Sequence, residues 1–149
     1  MKKSVILLVI ATFLAFKGFG QILDPVKWSY AAKKTSKNEA LVCVTATLDK
    51  GWHLYSMYVK PGGPQPTKFK FEKSKAYDLM GNTIEPAPTV RLEPEFMMEV
   101  GYFETSVTFQ QKIKLKGKKV TVKGVVKFMV CNDNQCLPPD EAKFTVEVP

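Results

Sequence analysis

Two cysteines near the end of the chain, Cys131 and Cys136, are the residues best suited to chemistry. Four residues separate them, three of which favour turns. If these four form a hairpin loop, the cysteines face each other across a strand pair, at about 4.5–5.5 Å between Cα atoms. A disulfide accepts that separation. Pro138 and Pro139 follow and cannot donate backbone hydrogen bonds, so pairing must weaken there. The spacing predicts a disulfide at a strand end.

Such a disulfide is either a structural staple or a redox pair. In the chain-entropy model, closing this six-residue loop stabilises the fold by only about 2.2 kcal/mol, whereas a Cys43–Cys136 bond would contribute about 4.6 kcal/mol. Counting back by twos from Cys131 along the preceding strand places it on the less apolar face, where its sulfur would be accessible. Both features favour thiol–disulfide exchange, with the staple as the alternative.

The third cysteine, Cys43, alternates with Thr45 and Thr47. We expect it to be a free, partly buried thiol that behaves as a small hydrophobe.

A metal site is a further alternative for the Cys131/Cys136 pair, in which these cysteines, methionines and His53 would bind a soft metal such as copper. The chain has one histidine and no dense methionine motif. We therefore expect no metal and no cofactor.

The elements that must position these residues are strands, because apolar residues recur with period two and no helical pattern is evident. Gly- and Pro-containing turns separate the runs. The fold class predicted is all-β, an immunoglobulin-like antiparallel sandwich, with an eight-stranded barrel as the alternative. Strands are expected at residues 28–34, 42–48, 52–59, 67–71, 89–92, 102–115, 120–130 and 144–148.

The first twenty residues have the charged start, short apolar run and small-residue end of a secretory signal peptide. An uncleaved anchor is the alternative, although the run is shorter than the roughly 20 residues that span a bilayer. Cleavage after Gly20 leaves residues 21–149 as one domain with no transmembrane segment. The net charge falls from +8 to +5 as three lysines leave. The remaining lysines are spread over alternating strand positions and Arg91 is the only arginine, so we expect no nucleic acid partner.

Three segments resemble a known family. Residues 50–55 resemble its Gly-aromatic-x-Leu-Tyr strand, residues 93–102 fall where it has an acidic-aromatic loop, and residues 128–139 match its active cysteine strand with two following prolines. On these segments the chain is similar to the N-terminal periplasmic domain of DsbD, the transmembrane thiol:disulfide interchange reductase. The resemblance implies an immunoglobulin-like sandwich with a redox disulfide near a strand end.

The resemblance also implies a role for each cysteine. The family takes electrons from a membrane thiol reductase and passes them to thioredoxin-like periplasmic proteins, a route linked to cytochrome c biogenesis. By resemblance, Cys136 forms mixed disulfides with partners and Cys131 resolves them. The chain is expected to act as a monomeric protein-disulfide reductase module in the periplasm. Full-length DsbD continues into further domains, so a chain ending at Pro149 is expected either to work with a separately encoded membrane partner or to have a different function.

The surround of the disulfide is expected to comprise Tyr55 and a cap loop. In the cap, Phe96 or a neighbouring methionine lies over the two sulfurs and excludes stray thiols. His53 stands where the family has an aromatic residue, and is either a proton shuttle beside the thiols or a plain strand-face histidine. The cap residues are Glu95, Phe96, Met97 and Met98.

A non-catalytic function from a different class stays open. In it, the exported sandwich binds a protein or glycan and the Cys131–Cys136 bond is a staple. Reducibility discriminates the two functions, because redox-active disulfides are reduced much more easily than structural ones.

Overall fold

A computed structural model describes residues 22–149, and the predicted signal peptide and mature N-terminus at Gln21 lie outside them. The described chain folds into eleven strands and no helix. The strands are β1 (Val26–Ser36), β2 (Glu39–Leu48), β3 (His53–Tyr55), β4 (Lys68–Phe71), β5 (Tyr77–Ile84), β6 (Thr89–Glu93), β7 (Met98–Glu104), β8 (Ser106–Leu115), β9 (Val120–Phe128), β10 (Val130–Cys131) and β11 (Asp140–Val148).

The strands form three antiparallel sheets, ordered β1-β2-β8-β5, β10-β3-β7-β6 and β11-β9-β4. Alternating side chains of the first sheet pack against the third sheet in one core cluster and against the second sheet in another. The first sheet is therefore one layer of a sandwich, and the other two sheets form the opposite layer. The predicted all-β, immunoglobulin-like sandwich is confirmed, and the barrel alternative is not adopted.

The long strand predicted over residues 102–115 is two strands that belong to different layers. Thr105 separates them with a φ of 63°, a left-handed conformation that is costly for a β-branched residue. Its carbonyl accepts a hydrogen bond from the Leu48 N–H at 2.8 Å, which fixes the crossing. The break lets β7 lie in the disulfide-bearing sheet while β8 runs in the opposite layer.

Strand β5 was not predicted from the sequence. It is the edge of its sheet, and most of its side chains are exposed. Leu79 and Ile84, for example, are 46% and 51% exposed. Because neither face is consistently buried, the strand carries no period-two apolar signal.

Candidate functional site

The Cys131–Cys136 disulfide closes a short hairpin. The two residues form an antiparallel bridge outside the main strands. Backbone hydrogen bonds flank the pair on both sides, from Asn132 N–H to the Gln135 carbonyl at 2.8 Å and from Leu137 N–H to the Val130 carbonyl at 3.0 Å. The predicted opposition across a hairpin is confirmed. The cysteines occupy a non-hydrogen-bonded position, which is the closer of the two kinds of antiparallel pair, and their Cα atoms are 4.0 Å apart, below the expected range.

The loop between the cysteines is closed by its first residue. The Asn132 side-chain oxygen accepts hydrogen bonds from the backbone N–H groups of Asn134 and Gln135, both at 2.9 Å. This is an Asx-type turn, the local chemistry that asparagine favours. The turn places Cys136 directly across from Cys131 without help from distant residues.

Cys131 is only 2% exposed, and the expectation of an accessible sulfur at this position is wrong. The chain leaves the β9 sheet after Phe128, and β10 then pairs with β3 in the second sheet. One face of that sheet enters the sandwich core through Leu54 and Val130. The opposite face, which carries Cys131, belongs to a separate cluster, so Cys131 is buried even though it lies off the main core. Cys136 is half-buried.

Aromatic side chains form the floor beneath the disulfide. Tyr55 is fully buried, Tyr102 is 8% exposed, and both belong to the cluster that contains Cys131. The predicted placement of Tyr55 beside the disulfide agrees with this cluster. Burial, and secondarily the Glu93 carboxylate, raise the pKa of the Tyr55 phenol. Tyr55 therefore stays protonated and neutral at the site.

His53 lies opposite Cys131 in the β3–β10 pairing and is 1% exposed. Residues opposite each other in an antiparallel pair project from the same face. Its Nε2 is 3.2 Å from the Tyr55 hydroxyl, and its ring makes edge contacts with the Tyr55 and Tyr102 rings at 5.2 and 5.3 Å between centroids. The sequence left its role open, and the fold makes it a buried neighbour of the disulfide.

Arg91 completes this group and was not predicted as a site residue. Its Nη2 lies 3.1 Å from His53 Nε2 and 3.3 Å from Nδ1, and its guanidinium carbon lies 4.5 Å from the centre of the Tyr102 ring. Glu93 accepts from it at 3.4 Å. Burial, followed by the Arg91 charge, lowers the pKa of His53, so the imidazole is neutral. The sequence contains a feature that could have identified Arg91 as a site residue, because it is the only arginine and shares a strand face with Glu93.

The predicted cap loop is the turn of the β6–β7 hairpin. Glu95 reaches the disulfide, with a carboxylate oxygen 3.8 Å from Cys136 Sγ. Met98 begins β7 and packs against the cluster that contains Cys131, while Phe96 is half-buried. Met97 takes a left-handed conformation with a φ of 52° and is 88% exposed, so it contributes no cover.

An open cleft separates the hairpin turn from the disulfide loop, and both cysteines line it. Its walls carry three carboxylates, Glu93, Glu95 and Asp133, and one cation, Arg91. A half-buried sulfur beside a buried one, in a cleft open to solvent, can accept attack by an external thiolate at Cys136 and keep Cys131 for the second step.

Cys43 lies apart from this site on β2, between Ala31 of β1 and Gln110 of β8. It is a free, half-buried thiol, as predicted. Burial raises its pKa.

Within residues 22–149 no three His, Cys, Asp or Glu side chains are grouped so as to hold a metal ion. The same residues contain no helix with the length and hydropathy needed to cross a membrane.

The sequence matches the family of the thiol:disulfide interchange protein DsbD, N-terminal, over residues 21–148. No curated protein matches it. The fold is similar to the reduced Neisseria meningitidis DsbD N-terminal domain, with a TM-score of 0.54 and 15% identity over 79% of this chain and 82% of that one. It is also similar to a chain in the N. meningitidis complex of the DsbD and PilB N-terminal domains. The TM-score is 0.56 and the identity 13%, over 85% of this chain and 88% of that one.

A third solved structure with this fold is the N-terminal periplasmic domain of ScsB from Proteus mirabilis. The TM-score is 0.55 and the identity 17%, over 87% of this chain and 49% of that one, so this chain spans about half of the ScsB domain. At these identities the solved structures establish the shared sandwich fold.

Proposed function

The chain belongs to the family of DsbD N-terminal domains, and on this premise we propose that it carries electrons between proteins through the Cys131–Cys136 pair. In the proposed cycle, a membrane thiol reductase reduces the disulfide and the dithiol then reduces thioredoxin-like proteins of the periplasm. The N. meningitidis DsbD N-terminal domain is known in complex with the PilB N-terminal domain. That complex supports a protein partner for this chain.

The observation that carries the proposal is the unequal burial of two bonded cysteines that line one cleft. Cys136 is half-buried, whereas Cys131 is 2% exposed. A staple needs no access to either sulfur. An exchange pair needs one sulfur that a partner reaches and one that partners do not reach, because the second sulfur must react only within the chain.

The chemistry follows from these positions. In the reduced domain the Cys136 thiolate attacks a partner disulfide, forming a mixed disulfide and releasing one partner thiolate, which takes a proton. The Cys131 thiol then loses its proton and attacks Cys136 Sγ. This re-forms the Cys131–Cys136 bond and releases the second partner thiolate, so two electrons pass to the partner. The cap, in which Glu95 lies beside Cys136, limits attack by stray thiols between these encounters.

Export to the periplasm is part of the proposal. We propose that residues 1–20 are a cleaved signal peptide and that the mature domain begins at Gln21. The family match begins at residue 21, which supports this boundary. Intact-mass analysis of periplasmic protein tests it. A membrane-bound species that retains Met1 to Gly20 would contradict cleavage.

The experiment for the function is a trapping assay with single-cysteine variants. Cys131→Ser leaves Cys136 able to attack but unable to be resolved, so mixed disulfides with thioredoxin-like proteins should accumulate on non-reducing gels. Cys136→Ser is the matched variant and should trap almost none. Equal trapping by both variants would contradict the assigned roles. A reduction potential well below about −300 mV for the wild-type pair would instead favour a structural staple.

A further inference from the structure

The cleft beside the disulfide has an unfavourable charge for the chemistry proposed above. Thiol–disulfide exchange brings in a thiolate and passes through a state in which negative charge is shared by three sulfurs. Among the residues lining this cleft, Glu93, Glu95 and Asp133 are acidic, and Glu95 lies 3.8 Å from Cys136 Sγ. A carboxylate at this distance from Cys136 Sγ raises the energy of the incoming thiolate.

The leaving thiolate is the harder one to stabilise. When a partner attacks Cys136, the electron pair of the broken bond stays on Cys131 Sγ. Cys131 is 2% exposed, so water has little access to solvate the new charge. Buried charge without a compensating group is costly, and a fixed cation is the usual compensation in such sites.

Arg91 is the only basic residue among those that line the cleft. Its guanidinium is fixed from three sides, by Glu93 at 3.4 Å, by the Tyr102 ring at 4.5 Å and by the His53 ring nitrogens at 3.1 and 3.3 Å. Arg91 and Cys131 line the same cleft, and His53, which Arg91 contacts, is opposite Cys131 in the strand pairing, so the cation and the buried sulfur lie on the same side of the sheet.

We propose that Arg91 is a charge-stabilising residue of thiol–disulfide exchange, which offsets the acidic cleft and favours the thiolate that leaves from Cys131, and that His53 positions it. The proposal rests on the function proposed above. Arg91 Nη2 lies within 3.3 Å of both His53 ring nitrogens, so the guanidinium lies against the imidazole ring, and a neutral ring there does not repel its charge. The lowered pKa of the buried imidazole is consistent with this arrangement.

The test measures reduction of the oxidised domain by 2-mercaptoethanol. Its thiolate attacks Cys136 Sγ, a mixed disulfide forms, and Cys131 leaves as a thiolate that takes a proton from water. A second thiolate then releases Cys136. The rate is measured for wild type, for Arg91→Gln, which removes the charge, and for Arg91→Lys, which keeps it. Lys33→Gln, an exposed lysine of the opposite layer, is the matched control for loss of one positive charge.

We expect Arg91→Gln to be reduced about tenfold more slowly at low salt, and the difference from wild type to shrink as ionic strength rises. Arg91→Lys keeps the positive charge and should stay within about threefold of the wild-type rate. Lys33→Gln should be reduced at the wild-type rate. A wild-type rate for Arg91→Gln would overturn the proposal. Equal slowing of Arg91→Gln and Arg91→Lys, without salt dependence, would also overturn it, because packing alone would explain that result.

Two features of the design keep the test decisive. If Arg91→Gln does not fold, the rate of reduction of Arg91→Lys decides the test. A tenfold slower rate despite the retained charge overturns the proposal, and a rate within threefold of wild type supports it. The probe is a small thiol, so the result is independent of any protein partner. An Arg91-dependent rate in a domain that fails to reduce thioredoxin-like proteins would leave this inference standing and contradict the proposed function.

Discussion

Cys131 and His53 lie directly opposite each other where β10 pairs with β3, and both are almost fully buried. This pairing joins the sulfur that is expected to resolve mixed disulfides to an imidazole that contacts the chain's only arginine. The site therefore has two parts. Cys136 and Glu95 lie on the exposed side of the cleft, while Cys131, which also lines the cleft, and its pairing partner His53 are buried in the sheet.

The cap can be tested one residue at a time. Met98→Ala and Phe96→Ala should each speed reduction of the disulfide by dithiothreitol severalfold, because both side chains are partly buried in the hairpin turn and Met98 packs on the Cys131 cluster. Met97→Ala is the control and should leave the rate unchanged, since Met97 is 88% exposed. If only Met97→Ala were reduced faster than wild type, the assignment of the cap to Phe96 and Met98 would be wrong.

His53 should make folding stability depend on pH. Burial and Arg91 lower its pKa below the ordinary 6.5, so the unfolded chain takes up a proton as the pH falls through about 6.5 and the folded protein does not. Stability should drop from there and level off below the folded-state pKa. Urea unfolding of wild type and His53→Phe between pH 5 and 7.5 isolates the effect, because the carboxylates are common to both. Parallel stability curves would show that His53 does not titrate differently on folding.

Gly124 should not tolerate a side chain. A Cβ at this position of β9 would lie 2.5 Å from Phe144 Cζ and 2.7 Å from the Lys70 backbone oxygen. The oxygen cannot retreat without disturbing the β4–β9 pairing. Gly124→Ala should therefore lower the free energy of unfolding by about 1–3 kcal/mol. Gly117→Ala, where the nearest atom would be 3.7 Å away, is the control and should be nearly neutral in chemical denaturation.

Cys43 should be the one thiol that reacts in the oxidised domain. Burial raises its pKa, so little thiolate exists at neutral pH and alkylation should be slow there and accelerate above about pH 9. Peptide mapping after alkylation under non-reducing conditions should find the label on Cys43 and the bond between the other two cysteines. Recovery of Cys43 in a disulfide would contradict the pairing.

The sequence by itself determined the parts of this protein that depend on neighbours along the chain. Period-two apolar alternation sufficed for β1, β2, β8 and β9, because a strand with one buried face repeats every second residue. The opposition of Cys131 and Cys136 was also predictable, since an asparagine turn of four residues fixes it locally.

Only the tertiary structure decided which sulfur is buried and which groups surround it. The alternation along β9 placed Cys131 on the less apolar face, and nothing in that pattern shows that β10 changes sheets and brings this face into one cluster with Tyr55 and Tyr102. The contact of Arg91 with His53 likewise depends on β6, β7 and β3 lying side by side. Periodicity indicates which residues share one face of a strand. It does not record what covers that face, because that depends on strand pairings between segments far apart in the chain.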